Sequence, residues 1–328
     1  ADGGATWTKI FGGRDGNYGK EGLIYINDIV VRNNSGSSEV IFSSSPGYDG
    51  AGWVGLSGYG IYKSTDAGAN FTKIDAKNSN GQTYEVIDLE IDGDNLIWAC
   101  TTKRAYGTGG TILQSNADVT SFSVKHEVTN GRRTEMEVTS NGKIYVLVQV
   151  NNKPKVYKST DFFATAPTEL TLPDDADGGI SADDFTRGQS FYDLMLDSDP
   201  NNPEHIYIGG IDIFKSTTGG ENSDPNVNPW TQISHWYGGF SHQYIHADQH
   251  SMVFGNTDSS KKLFGNDGGI YYSKTESGTE TASSRNNNLN TSQMYTIGVA
   301  PSEMFKDLNK TVSGYDISSY AFYPLPIS

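Results

Sequence analysis

Short runs of alternating apolar and polar residues, each closed by a cluster of Gly, Asn, Asp or Ser, follow one another along most of this chain. A period of two predicts strands, and the punctuation predicts tight turns. No convincing run places apolar residues at i, i+3, i+4 and i+7, so no helix is expected. The strands fall into a recurring unit. In the first unit they read IYINDIVV, EVIFSSS, GIYKSTD and FTKID, and in the second YEVIDLEID, NLIWACTT, TILQSN and SFSVKHEV. The third has TEMEVTS, KIYVLVQV, KVYKSTD and TELTL, and the fourth FYDLMLD, HIYIGG, IDIFKSTTGG and WTQIS. The fifth has HADQHSMVF, KKLFGND and GIYYSKTES with a weak fourth strand, and the sixth begins QMYTIGVAP and KTVSGYD.

Units start near residues 24, 84, 132, 189, 242 and 293. Four antiparallel strands recurring at this spacing predict an all-β fold, a β-propeller of four-stranded antiparallel blades. One blade cannot cover both of its faces, whereas a ring of blades can. Six blades are expected, or seven if one is missing. Residues 1–328 read as a single propeller domain within a longer protein. Residues 11–316 make six blade units, and 317–328 carry no clear pattern. Residues 1–10 read as the outer strand of a closing or a preceding blade, because ATWTKI lacks the three strands that should come before it.

Composition narrows the function classes. Only 19% of the 328 residues are charged, and 38 Gly, 19 Tyr, 14 Phe and 5 Trp fit a turn-rich β fold. The net charge of -15 repels phosphate backbones and argues against nucleic-acid binding. No apolar stretch approaches the roughly 18 residues of a membrane span. The single cysteine, Cys100, sits in the apolar run NLIWACTT and reads as a buried small hydrophobe.

The turn in KSTDAGANFTKI spells S-x-D-x-G-x-x-F with Ser64, Asp66, Gly68 and Phe71. Asp and Ser side chains can bond backbone N–H groups there, and Gly supplies a conformation other residues resist. Asp2, Gly4 and Trp7 make half a copy. Ser159–Asp161 lacks the Gly, Ser216–Gly219 lacks the Asp, and Ser273–Thr275 is fainter. The motif resembles the Asp-box, or BNR repeat, of sialidases, sortilin-type receptors and xyloglucanase-type glycosidases. Residues 189–300, with WTQISHWYGG, YIHADQHSMVF and FGNDGGIYYS, look like BNR-type propellers of large secreted Bacteroidota proteins. That resemblance implies a secreted or cell-surface protein, a type often exported by the type IX secretion machinery.

Two polar constellations stand out. Aligned inner strands place Asp28, Asp88, Glu135 and Asp193 at equivalent positions, where ring geometry would gather them near the channel. Close carboxyls raise one another's pKa and can make an acid/base pair, though repeat architecture explains the alignment more simply. His246, Asp248 and His250 alternate and invite a metal reading. On a straight strand i and i+4 lie about 13 Å apart, too far to share one ion, so polar lining without a metal is expected. The DDADGG segment (174–179) has part of a calcium loop's pattern and lacks the distal Glu, so no cofactor is expected, with calcium as the alternative.

Tyr18, Tyr48, Trp53, Tyr106, Trp236, Tyr237 and His242 fall in the loops of the usual propeller binding face, where aromatic rings beside polar groups suit sugars or peptide side chains. The sialidase R-I-P signature is absent, as are G-x-S-x-G and H-E-x-x-H. The sequence therefore favours an extracellular or cell-surface module that binds a carbohydrate or protein ligand, or acts in adhesion. A glycoside hydrolase of xyloglucanase or sialidase type is the alternative.

Overall fold

A computed structural model describes residues 6, 8–14, 22–23, 25–48, 52–105, 107–276 and 278–287, and the backbone of two short paired strands, Thr311–Val312 and Tyr315–Asp316. No helix occurs among the described residues. The chain is an all-β propeller of four-stranded antiparallel blades, five of which lie among the described residues. The first sheet is Tyr25–Asn34, Ser37–Ser45, Gly60–Ser64 and Thr72–Ile74. The second is Val86–Ile91, Ile97–Thr101, Thr111–Ser115 and Phe122–Glu127, and the third Gly131–Val138, Ile144–Val150, Lys153–Ser159 and Thr168–Glu169. The fourth is Met195–Asp199, Asn202–Gly209, Ile213–Ser216 and Trp230–Gln232, and the fifth Gln249–Gly255, Asp258–Asn266, Gly269–Glu276 and Thr279–Ser284. Each sheet is a meander with strands in sequence order. The first strand of each packs beside the first strand of the next.

The middle strands explain why the sheets stand side by side. All seven residues of Ile144–Val150 are buried, as are all five of Ile97–Thr101. A strand covered on both faces reads as a continuous apolar run rather than an alternating one. Ile41, Ile61, Leu89 and Ile97 fill the gap between the first and second sheets, and Trp98, Cys100, Ile112 and Val146 that between the second and third. Leu147, Phe185, Ile206 and Phe214 join the third to the fourth, and Met195, Tyr207, Ile213 and Phe264 the fourth to the fifth. Cys100 is fully buried, and its thiol donates to the Thr134 carbonyl at 3.3 Å.

Several strands differ from the sequence reading. The weak fourth strand of the fifth unit is a six-residue strand, whereas TELTL contributes only two residues. Residues 8–10 carry no strand, and the sixth unit's expected inner strand lies outside the described residues.

The serine turn recurs with one bonding scheme. Ser64 Oγ donates to Asp66 Oδ1 at 2.7 Å and accepts the Gly68 N–H at 2.9 Å, while Asp66 Oδ1 accepts the Asn70 N–H at 2.8 Å. In the third sheet Ser159 Oγ accepts from Phe163 N–H at 2.8 Å, and Asp161 from Thr165 N–H at 3.1 Å. In the fourth, Ser216 Oγ accepts from Gly220 N–H at 2.9 Å, and the Thr218 hydroxyl bonds the Glu221 carbonyl in place of an Asp contact. Gly68, Phe163 and Gly220 share the left-handed backbone, at φ 89°, 63° and 76°. The third turn thus forms without its Gly, helped by stacking of Phe163 on His126 at 5.2 Å. Asp2, Gly4 and Trp7 lie outside the described residues.

A buried guanidinium ties the first two sheets together. Arg32 pairs with Glu39 at 2.7 Å and donates to the Asn95 and Ala117 carbonyls at 2.5 and 2.7 Å. Its side chain is 1% exposed, so removing it strands a buried carboxylate and two carbonyls. Arg32→Leu is expected to lower unfolding free energy in urea by about 3–5 kcal/mol. The Arg32→Leu/Glu39→Leu double variant should recover part of that loss. A single-variant loss below about 1 kcal/mol would show that water reaches the pair.

Asp66 behaves differently because it is solvent-facing. Hydrogen bonds from Asn70 and Ser64 hold its carboxyl down to about 2. A depressed folded pKa stabilises above the unfolded value and loses that effect as pH falls through the folded one. Asp66→Ala should therefore lower the melting temperature at pH 7, and the gap to wild type should close between pH 4 and pH 2.

Candidate functional site at the channel and its mouth

The five inner strands present polar residues to a central cavity of about 470 Å³. Asp28, Asp88 and Glu135 line it as the alignment implies, joined by Glu90, Glu137 and Asp197. Asp193 does not line it. The inner strand of the fourth sheet begins only at Met195, so Asp193 sits in the turn before it, where its N–H bonds the Gln189 carbonyl. Asp197 supplies that sheet's channel carboxyl instead. Glu90 and Glu137 follow Asp88 and Glu135 by two residues, so strand alternation alone would have found them.

Two of the carboxylates stitch neighbouring sheets. Asp28 accepts the Leu89 N–H at 2.9 Å, and Asp88 accepts the Met136 N–H at 2.8 Å, each one strand onward. At the third sheet Arg133 takes over. It holds Glu135 Oε1 at 2.8 Å and donates to the Leu194 carbonyl at 3.2 Å. Gln249 completes the series with a bond from its Nε2 to the Ile211 carbonyl at 3.2 Å.

Crowding and burial move the channel protons. Burial, then the charges of Glu135 and Asp28, raise Asp88 well above the usual carboxylate range. Burial and Glu137 do the same to Glu90 and Asp197. Burial pushes Glu137 up to about 7 against the hydrogen bond from Ser198. Burial also raises Glu135, with Arg133 opposing it. Among these carboxyls Glu137 is the one placed near neutrality.

The histidine segment is not a straight strand. The fifth inner strand starts at Gln249, and Asp248 turns through a left-handed φ of 65°. His250 Nε2 pairs with Asp267 at 2.8 Å, and Tyr192 also donates to Asp267 at 2.8 Å. His246 Nδ1 contacts the Ala247 carbonyl at 3.2 Å. Among the described residues no three His, Cys, Asp or Glu side chains converge on a metal-holding arrangement. In the DDADGG segment Arg187 bonds Asp175 at 2.8 Å and Asp177 at 2.7 Å.

The aromatic loops share one end of the sheets. In an antiparallel meander the start of the first strand, the end of the second and the start of the third lie together. Tyr48 and Trp53 sit on a small hairpin there, edge to face at 5.7 Å. Trp236 and Tyr237 pack edge to face at 4.8 Å in the loop before the fifth sheet, both partly exposed. Their floor is not the His246–His250 segment but the buried His235, whose ring lies 4.1 Å from that of Tyr237, with Asp177 bonded to the Tyr237 hydroxyl. His242 is half-buried in the same loop, with its pKa lowered by burial and by His235. Tyr18 and Tyr106 lie outside the described residues.

Sequence reasoning missed Phe191 and Tyr192, exposed just before the fourth sheet, and Lys103, Arg104, Arg132 and Arg133 across from them. Lys103 and Arg104 stand in a loop whose aromatic drew notice first, and Arg132 and Arg133 open a strand noted for its Glu.

No family model matches the chain, and no curated protein matches it in sequence. Among solved structures the chain is similar to a GH74 xyloglucanase from Xanthomonas campestris, at 14% identity and TM-score 0.48 over 74% of this chain and 36% of that one. It is also similar to YCF48 bound to D1 peptide, at 16% identity and TM-score 0.45 over 74% and 61%. A third is a catalytically inactive virginiamycin B lyase from Staphylococcus aureus with quinupristin, at 13% identity and TM-score 0.45 over 78% and 82%. The chain spans about a third of the length of the xyloglucanase.

Asp193 offers a pH test. It is fully buried, neither carboxyl oxygen has a hydrogen-bond partner, and burial with the nearby charge of Asp248 raises it to about 8. A carboxyl raised from its usual value near 4 stabilises fully below that value and loses the effect as pH rises through the folded pKa. Wild-type melting temperature should therefore fall from pH 5 to pH 8, and Asp193→Asn should fall less steeply. Parallel curves would show that Asp193 is ionised in the folded state.

Proposed function

We propose that this propeller is a secreted or cell-surface module that binds saccharide chains on the loop face at the mouth of its channel. The carrying observation is the set of partly exposed aromatics, Tyr48 with Trp53, Phe191 with Tyr192, and Trp236 with Tyr237, in loops at one end of the sheets. Rings of this kind stack on the apolar faces of sugars, and the adjacent Asp, Arg and His side chains can bond hydroxyls. The serine turns support an Asp-box reading of the repeat, and with it an extracellular setting and export by the type IX machinery. A structural turn distant from the loop face leaves ligand choice to the loops.

Screening against neutral and charged polysaccharides, followed by calorimetry, tests the reading. Trp236→Ala and Tyr48→Ala should each weaken binding roughly tenfold, the worth of one stacked ring. Their melting temperatures should stay close to wild type. A protein ligand bound in the absence of any saccharide binding would replace the reading.

Glycoside hydrolysis is a second reading, favoured by Glu137, a channel carboxyl that titrates near neutrality beside other carboxyls. Under it, reporter glycosides should be cleaved with an activity limb near pH 7 that disappears in Glu137→Gln. No turnover of any reporter removes it.

A further inference from the structure

A second cavity, of about 400 Å³, opens beside the channel. Lys103, Arg104, Arg132 and Arg133 line it together with Phe191 and Tyr192. No carboxylate is among its lining residues, although the whole chain carries a net charge of -15. Four of the chain's 24 basic residues therefore meet at one cavity, where elsewhere acidic groups dominate.

The pairing of these cations matters more than their number. Arg133 is occupied by Glu135 and the Leu194 carbonyl. Lys103, Arg104 and Arg132 form no ion pair within 4.0 Å among the described residues. Burial and then the positive charge of Arg133 lower the Arg104 pKa, so the two guanidiniums repel each other, an effect that the charges of Glu85 and Glu135 offset in part. An anion between them would relieve that repulsion. Phe191, 63% exposed, and Tyr192, 38% exposed, offer ring faces next to the charges. Tyr192 is held in place by its bond to Asp267 and by His250, whose ring lies 4.8 Å away.

We infer that this cavity takes an anionic sugar unit, its carboxylate or sulfate held by Arg104 and Arg132 and its ring placed against Phe191 and Tyr192. Guanidinium forks match both oxyanions, so the two sources share one chemistry. The negative surface around the cavity disfavours densely charged polymers at a distance, which leaves sparsely charged glycans as the matching ligands. This inference rests on the saccharide-binding reading above and narrows it.

Calorimetry on the full chain decides it, with four probes: a galactan oligosaccharide bearing one terminal uronate, one bearing a single sulfate, a neutral galactan oligosaccharide of equal length, and an Asp/Glu-rich peptide. At least one anionic saccharide should bind tenfold or more tightly than the neutral one, and the uronate and sulfate arms report which group is preferred. That preference should shrink in 0.5 M salt, roughly three times the ionic strength of physiological buffer. Arg104→Gln and Arg132→Gln should each reduce it by roughly tenfold, the worth of one charge-assisted contact, with unchanged melting temperature. Arg132→Lys should restore part of it. Equal binding of neutral and anionic sugars overturns the inference and leaves the saccharide reading standing. Binding of the peptide alone, or of no probe, overturns both.

Discussion

The second, third and fourth sheets bury apolar side chains on both faces, and that constraint organises the described part of the molecule. A strand such as Ile144–Val150, buried along its whole length, cannot exist in an isolated meander. It needs a neighbour on either side, and the neighbours need theirs. Burying a Leu, Ile or Val side chain contributes roughly 1.5–3 kcal/mol, so each inter-sheet gap outweighs any single polar contact near it. The sequential order of gaps, from the Ile41 cluster to the Tyr207 cluster, follows from local connectivity alone.

The same packing forces the inner strands together at their polar edges. Carboxyls that would be solvated on a lone sheet now face one another. Those with a backbone donor, Asp28 and Asp88, turn the crowding into inter-sheet bonds. Asp193, in the turn before its strand rather than in the channel, accepts from no other described residue, and burial raises its pKa to about 8. Where a guanidinium is available the outcome reverses. Burial opposes ionisation of Asp177, yet Tyr237 and Arg187 together hold its pKa below the ordinary value. Depth sets the direction, raising Asp88, Glu137 and Asp193 alike, and the donors within reach set how far each is pulled back.

Strand alternation and turn punctuation made the sheets legible before any coordinates. Alternation also carried the channel lining, since Asp28, Asp88 and Glu135 converge as aligned. It failed where a strand begins late. FYDLMLD reads as one run, but the turn through Gln189 and Asp193 claims its first residues, and the channel position passes to Asp197. The histidine segment failed for the same reason, because a left-handed Asp248 breaks what alternation treats as straight. The cationic cavity was invisible for another reason. Lys103 and Arg104 lie in one sheet's loop, while Arg132 and Arg133 open the next sheet, and only the packing of blades brings them together.

That separation bears on how such a fold acquires function. A repeat places like residues at like positions, so a site built from repeated positions, such as the channel carboxyls, inherits the ring's regularity and serves first to join blades. Chemistry that distinguishes one ligand from another must come from positions where the blades differ. Here those positions are the loops at one end, where the second sheet supplies Lys103 and Arg104 and the segment before the fourth supplies Phe191 and Tyr192. The charge contrast sharpens the point. Cations at contact distance act on a bound anion more strongly than the acidic surface around it, which is screened beyond about 8 Å. A net charge of -15 is therefore compatible with the inferred anion site.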